Sequence, residues 1–207
     1  MEHLVANFVL LFIVIDPIGV AAMFAALTHG TDPVYQRRTA VRGVTLATYI
    51  LFAFGLGGRW LLDTLGIGIP AFRIAGGLLL LLLSVDMILA RHTGLRSTTR
   101  SEEREAEQRT DLSVFPLAFP LIAGPGALTT VLLLASSATG LVFYVSLAVV
   151  LVMALGLTLI ALLYAPMIQR LFGETGINVL NRLMGVILTA LAVQYILDGL
   201  KNSLFPA

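Results

Sequence analysis

Long apolar segments separated by short polar turns dominate the pattern of this chain. Each of six segments is long enough for an α-helix to cross a bilayer, which takes about 20 mostly apolar residues. Glycine, proline and hydroxyl residues fill most of the separators, as is typical of turns. The pattern predicts an all-α membrane protein with six transmembrane helices, at residues 4–27, 39–62, 70–90, 114–137, 141–167 and 178–200.

The composition supports membrane insertion and excludes several other classes of protein. Hydrophobic residues make up 58% of the 207 residues and charged residues only 12%, against about 25% charged in soluble domains. The formal net charge of +1 gives no electrostatic basis for binding nucleic acid. Because the chain has no cysteine, disulfide and thiolate chemistry are excluded.

The distribution of arginine predicts how the segments cross the membrane. Short cytoplasmic loops carry an excess of Lys and Arg. The connections after the first, third and fifth segments hold most of the cations, whereas the opposite side holds Arg59 and Lys201. We therefore expect these three connections to be cytoplasmic and both termini to lie outside. The cations on the expected cytoplasmic side are Arg37, Arg38, Arg42, Arg91, Arg96, Arg100, Arg104, Arg109 and Arg170.

Proline interrupts two of the six segments, and glycine lies close to each interruption. Pro17 occurs in Asp16-Pro17-Ile18-Gly19, and Pro125 occurs in Gly124-Pro125-Gly126. Proline inside a helix removes a backbone hydrogen bond and clashes with the preceding turn. Hydrocarbon cannot satisfy the freed groups, so such breaks persist only inside protein or beside a cavity. Paired breaks of this kind point to a transporter's substrate site near the middle of the membrane.

A second match relates the two halves of the chain. An Arg-x-x-Gly sequence opens the third and the sixth segments, at Arg73 and at Arg182. The offset between these arginines is nearly the offset between Pro17 and Pro125. Three segments per half is an odd number, so the second half is expected to enter the membrane inverted. The sequence thus predicts two inverted three-helix repeats, whose first and fourth spans are broken at the prolines.

One polar segment separates the predicted repeats. Residues 91–113 carry mixed charges, as expected of a solvated loop. We therefore divide the chain into a first repeat at 1–90, a polar cytoplasmic loop at 91–113 and a second, inverted repeat at 114–207.

Asp16 is the strongest chemical candidate at the first break. A carboxylate near mid-bilayer costs at least about 2.5–3.5 kcal/mol on insertion scales and therefore needs compensation. Just before Pro17 it can cap the half-helix that starts there, accepting from the free amides of its first turn. It can also hold a substrate ammonium or a coupling proton. The two roles are compatible, because a capping carboxylate keeps further lone pairs. Asp16, Pro17 and Gly19 are the substrate-binding candidates at this break.

The second break offers backbone rather than side-chain chemistry. Gly124 and Gly126 allow a ligand to approach the main chain closely, and the half-helix that begins near Pro125 presents amides suited to a carboxylate. Thr129 and Thr130 lie one turn further on and can add hydroxyl groups. A zwitterion could then be held between the two breaks. The alternative is a packing kink, in which small residues allow close contact between helices.

Charged residues in the third and sixth segments suggest two symmetry-related ion pairs. Arg73 with Asp198 is expected near the outer face, and Arg182 with Asp86 near the inner face. Charges inside membranes usually pair with one another, and such pairs would act as gates or struts. Alternatively, the arginines snorkel to the interface and the aspartates are solvated separately.

The same two segments contain small and polar residues with a packing role. Gly76, Gly77 and Gly185 are expected to let the third and sixth spans approach closely. Gln194 is polar within an apolar span, so it either bonds a neighbouring helix or lines the substrate path.

Neither an enzyme nor a metal site is predicted. His3, His29 and His92 show no ligand spacing, and the acids within the spans lie at different depths. The chain has no phosphate-binding loop, so no cofactor is expected, although coupling to protons or sodium remains open.

Four motifs resemble those of the MarC family of membrane proteins, and the likeness covers essentially the whole chain. They are Asp16-Pro17-Ile18-Gly19, Phe72-Arg73-Ile74-Ala75-Gly76-Gly77, Pro120…Ala123-Gly124-Pro125-Gly126-Ala127 and Arg182-Leu183-Met184-Gly185…Ala192-Val193-Gln194.

This resemblance implies a relation to the lysine-exporter superfamily and a carrier of small neutral amino acids such as glycine or alanine. We expect this carrier to work as an exporter. The resemblance also implies the cytoplasmic membrane of a bacterium or archaeon as the location, with the bilayer and a small substrate as partners. A homo-oligomer stays open. The alternative function is a channel, or a protein that translocates lipids or drugs.

Overall fold

The computed structural model describes residues 2–89, 111–136 and 140–204. Within these ranges the chain is almost entirely helical and contains no strand, which confirms the all-α prediction. The predicted loop at 91–113 falls outside the described residues except for its last three. The helices are α1 (Glu2–Ile15), α2 (Pro17–Leu27), α3 (Pro33–Thr64), α4 (Ile69–Ile88), the π-helical α5 (Ser113–Ile122), α6 (Pro125–Ser136), α7 (Leu141–Leu163) and α8 (Ala165–Leu204).

Within the described ranges, five stretches are long and apolar enough to cross a membrane. A sixth is obtained if α5 and α6, which meet at 58°, count as one bent span. α1 and α2 together form one such stretch in spite of the break at Asp16. The described residues therefore support five to six spans. The five stretches are Leu4–Leu27, Pro33–Thr64, Ile69–Ile88, Val142–Leu163 and Thr175–Leu204.

α4 and α8 pack tightly side by side and antiparallel. A Cβ on Gly77 would lie 2.8 Å from the carbonyl oxygen of Ala192, and one on Gly185 would lie 3.1 Å from that of Ser84. The Thr189 hydroxyl also donates to the Ser84 hydroxyl at 2.8 Å. Gly77 and Gly185 thus bring the two backbones together, as expected.

Gly76 has a different partner from the one the sequence suggested. A Cβ at this position would overlap the side chain of Thr129 in α6, so Gly76 makes room for the fourth span rather than the sixth. The turn of α4 that carries Gly76 therefore packs closely against α6.

α3 runs parallel to α5 and α6 and is tied to them at both ends. Near its start, Gly43 leaves room for Leu117 of α5, and further along Gly58 does the same for Leu132 of α6. The Arg59 guanidinium donates to the carbonyl of Ser136 at 3.3 Å at the far end. α7 packs against α1 and α2 in a corresponding way.

An ion pair ties the start of α3 to the start of α5. Arg42 Nη1 lies 2.8 Å from Asp111 Oδ2, and both side chains are about half exposed. Asp111 also accepts from the Ser113 amide at 3.0 Å and from its hydroxyl. These two hydrogen bonds, followed by the nearby charges of Arg42 and Arg38, lower the pKa of Asp111 below its ordinary value of 3.8.

We expect Asp111→Asn to lower the free energy of unfolding at pH 7 by up to about 1 kcal/mol, the range of exposed ion pairs. A lowered carboxyl pKa stabilises the fold above the unfolded value, and this contribution is lost as pH falls through the folded value. The difference in Tm between wild type and variant should therefore shrink from pH 7 to pH 3. An equal difference at both pH values would show that the Asp111 charge does not contribute.

Candidate functional site

The first break is centred on Asp16, between α1 and α2. Its backbone is left-handed, with φ 54° and ψ 67°, a conformation that aspartate tolerates better than most residues. Its Oδ1 accepts from the Gly19 amide at 3.1 Å, and the residue is only 5% exposed. Pro17 is the first residue of α2, where a missing N–H costs nothing. The predicted capping role is confirmed.

Gly19 provides the space for this cap. A Cβ on Gly19 would overlap Oδ2 of Asp16, so any larger residue would push the carboxylate away from the amide that it binds. The Asp-Pro-Ile-Gly sequence thus works as one unit: aspartate turns the chain, proline starts the helix and glycine admits the buried carboxylate.

The second break is longer and more irregular than the first. Phe115 and Phe119 adopt extended dihedrals within α5, because each precedes a proline, which disfavours the helical region for the residue before it. The Ala123 amide reaches back to the Ala118 carbonyl at 2.9 Å. The chain then turns at Gly124, where a Cβ would overlap the Pro120 carbonyl oxygen.

The second break and the last turn of α1 meet at one crevice, which Asp16, Pro17 and Gly19 do not line. It holds about 300 Å³ of empty volume, part of it open to the surroundings. The start of α6 provides most of its wall, and Val14, in the last turn of α1, contributes from the first span. The lining residues are Val14, Leu79, Leu83, Gly124, Pro125, Gly126 and Ala127.

The crevice combines apolar walls with the polar start of a helix. Pro125 has no N–H, and the Leu128 amide donates to the Gly124 carbonyl at 3.0 Å. The amides of Gly126 and Ala127 are therefore the donors at this helix start. Donors at such an end, with the positive end of the helix dipole, favour a carboxylate or another anion.

Thr129 and Thr130 are both buried on α6, about one turn after the residues of this helix that line the crevice. Thr129 packs against Gly76. The Thr130 hydroxyl is buried and has no hydrogen-bond partner among the described residues. Tyr195 of α8 is a polar neighbour of Thr130. Sequence reasoning missed Tyr195, because only tertiary contact connects it with the break.

The remaining candidates lie along α4 and α8. Gln194 is exposed and donates to Asp198 on the same helix at 2.8 Å. Arg73 and Asp198 are both described, and no ion pair within 4.0 Å joins them in this structure. Asp86 is half-buried and Arg182 exposed. None of these residues lines the crevice, so their gating role and the substrate contact of Gln194 stay predictions.

Comparison with known proteins places the chain in a family. The model described as "MarC family integral membrane protein" matches residues 1–204. A membrane protein of Methanocaldococcus jannaschii is 37% identical over 99% of this chain and 98% of its own length. The membrane protein YvbG of Bacillus subtilis is 34% identical over 99% and 97%, and the inner membrane protein YhgN of Escherichia coli K12 is 32% identical over 97% and 98%.

No solved structure matches this chain significantly. The sequence matches nevertheless extend over nearly the whole length of the relatives, and their printed names describe membrane proteins, in agreement with the apolar helices. This chain is therefore an integral membrane protein that belongs to the MarC family.

Proposed function

We propose that this protein is a secondary transporter, working as an exporter, of small neutral amino acids such as glycine or alanine. The observation that carries the proposal is the convergence of two broken spans on one crevice. Non-helical backbone at membrane depth is tolerated where it is buried or lines a cavity, and discontinuous helices form the substrate sites of many transporters. No cofactor is needed, and the driving force would be a proton or sodium gradient.

The chemistry of the crevice suits a small zwitterion. The start of α6 offers amides for a carboxylate, and Asp16 near the other break offers a negative charge for an ammonium group. An ionised carboxylate has about four lone-pair sites, so the capping bond from the Gly19 amide is compatible with a second role for Asp16.

The packing of the helices supports an inverted repeat. α3 packs against α5 and α6 as α7 packs against α1 and α2, and the contact of α2 with α8 corresponds to that of α6 with α4. This pattern is preserved when the halves at 1–90 and 114–207 are exchanged. In an inverted repeat, exchanging the conformations of the halves turns an outward-open site into an inward-open one.

The proposal includes the orientation of the protein in the membrane and the membrane in which it lies. The arginine-rich connections would face the cytoplasm and both termini the outside, in the cytoplasmic membrane of a bacterium or archaeon. The name of the Escherichia coli relative, an inner membrane protein, supports this location. The partners would be the amino acid and the bilayer, and a homo-oligomer remains open.

Counterflow in liposomes tests the proposal. Vesicles that contain the purified protein and unlabelled glycine should accumulate labelled glycine transiently and saturably, and unlabelled alanine should compete. A channel would equilibrate the label without saturation. Absence of counterflow for a panel of neutral amino acids would remove the amino-acid proposal and favour translocation of lipids or drugs.

A further inference from the structure

The first turns of α8, residues 165–172, form a short helical segment that is separate from the span of this helix. The apolar stretch of α7 ends at Leu163, and that of α8 begins only at Thr175. Between them the helical dihedrals are interrupted at Gly173, with φ 60° and ψ 176°. Glycine adopts a positive φ of this kind at little cost, so the chain can change course there.

The segment has a helix start of its own. Tyr164 ends α7 with φ −102° and ψ 14°, and its carbonyl accepts from the amides of Met167 and Ile168 at 2.9 Å each. Pro166 lies in the first turn, where a missing N–H costs nothing. Residues 165–172 are therefore a helix of about two turns between Tyr164 and Gly173.

The two sides of this segment differ in polarity. In a helix with about 3.6 residues per turn, Pro166, Gln169 and Arg170 fall on one side. This distribution is that of an amphipathic helix. The apolar residues on the other side are Ala165, Met167, Ile168, Leu171 and Phe172.

The protein covers only part of the apolar side. Ala165 is fully buried, and Ile168 packs against the hydrophobic core. Met167, Leu171 and Phe172 are 64%, 73% and 43% exposed. If the segment projected into water, these three neighbouring side chains would form an apolar patch of the kind that marks an interaction surface.

The length of α7 places this surface at the edge of the bilayer. Its apolar stretch, Val142–Leu163, has 22 residues, which at 1.5 Å per residue extend about 33 Å, close to the thickness of the hydrocarbon core. Tyr164 follows directly and is exposed, and tyrosine is enriched at the interface between membrane and water. The segment therefore begins at the depth where acyl chains give way to headgroups.

We propose that residues 165–172 form an interfacial helix, which lies along the boundary between the headgroups and the acyl chains. Met167, Leu171 and Phe172 enter the acyl region, and Arg170 extends to the lipid phosphates, as a long cationic side chain can. The partner is the phospholipid of the bilayer, because the exposed side chains continue the exposed apolar surface of α7. The inference goes beyond the transport proposal and does not depend on it.

The interfacial helix would connect two groups of packed helices. α7 packs against α1 and α2, whereas α8 packs mainly against α4. A connection held in the interface keeps the end of α7 and the start of the α8 span at one depth in the membrane.

Tryptophan fluorescence of the full-length protein in phospholipid vesicles tests the depth of this helix. The chain has a single tryptophan, so Trp60→Phe gives a background in which Leu171→Trp reports on one position. We expect its emission to be shifted to the blue relative to tryptophan in water. Lipids brominated near the headgroup should quench it more than lipids brominated near the chain ends. Met167→Trp, one turn earlier on the same side, should give the same order of quenching and serves if Leu171→Trp does not fold.

Val152→Trp is the matched control, because Val152 is exposed in the middle of the α7 span. Lipids brominated near the chain ends should quench this variant more, which is the reverse order. Quenching of Leu171→Trp by aqueous iodide and by neither lipid would place the segment in water and overturn the proposal. The order found for Val152→Trp would make the segment part of a span, and protection from all quenchers would show that a second protein chain covers it. Either result would also overturn the proposal.

Discussion

Asp16→Asn is expected to reduce glycine counterflow by about tenfold or more while the protein remains folded. Asparagine is as good an N-cap as aspartate and can still accept from the Gly19 amide, but it has no charge to hold an ammonium group. A hydrogen bond to a charged group contributes about 1.5–3 kcal/mol, and each 1.4 kcal/mol corresponds to a factor of ten. Initial counterflow rates over a range of glycine concentrations would measure the loss.

Asp32 provides a matched control for this substitution. Like Asp16 it precedes a proline that begins a helix, and its Oδ1 accepts from the Val34 amide at 3.2 Å. Asp32, however, is exposed and does not line the crevice. Asp32→Asn should therefore leave counterflow unchanged. Equal counterflow in Asp16→Asn and wild type would reduce Asp16 to a helix cap.

Gly19→Ala tests the same site with the charge retained. The added methyl group would overlap Oδ2 of Asp16, so the carboxylate must move away from its capping position. We expect counterflow to fall as in Asp16→Asn, because the position as well as the charge of the carboxylate matters. Normal counterflow in this variant would show that the carboxylate acts from another position.

The helices and their breaks could be predicted because their causes are local. Apolar segments of bilayer length give the spans. Pro17 and Pro125 interrupt their helices whatever the tertiary surroundings are. The cap at Asp16 also follows from three neighbouring residues. The irregular course of α5 has a local signal as well, the repeated Phe-Pro at Phe115 and Phe119.

The surroundings of the breaks could not be predicted because they depend on tertiary contact. Nothing local connects Tyr195 with Thr130, or assigns Gly76 to Thr129 instead of to α8. Gln194 was recognised as polar in an apolar span, but its bond to Asp198 depends on the rotamers of two neighbours. Sequence motifs therefore located the two breaks, whereas the side chains around them are set by the packing of α4, α6 and α8.

Gly124→Ala is expected to be strongly destabilising and to abolish counterflow. The new methyl group would overlap the Pro120 carbonyl oxygen, a backbone atom that cannot move without shifting the second break. Overpacking of this kind costs about 1–3 kcal/mol and occasionally more. The shift would also move the start of α6, and with it the amides proposed to bind the carboxylate. The Tm of the purified variant and its counterflow rate would measure the two effects.

Gly156→Ala is the matched control, because a Cβ at Gly156 of α7 would meet no atom within 4 Å. Alanine favours a helix interior over glycine by up to about 1 kcal/mol, so this variant should be as stable as the wild type or slightly more. The same chemical change thus has opposite expected effects at the two positions. Equal Tm values for Gly124→Ala and Gly156→Ala would contradict the close approach of Pro120 to Gly124, on which the geometry of the crevice depends.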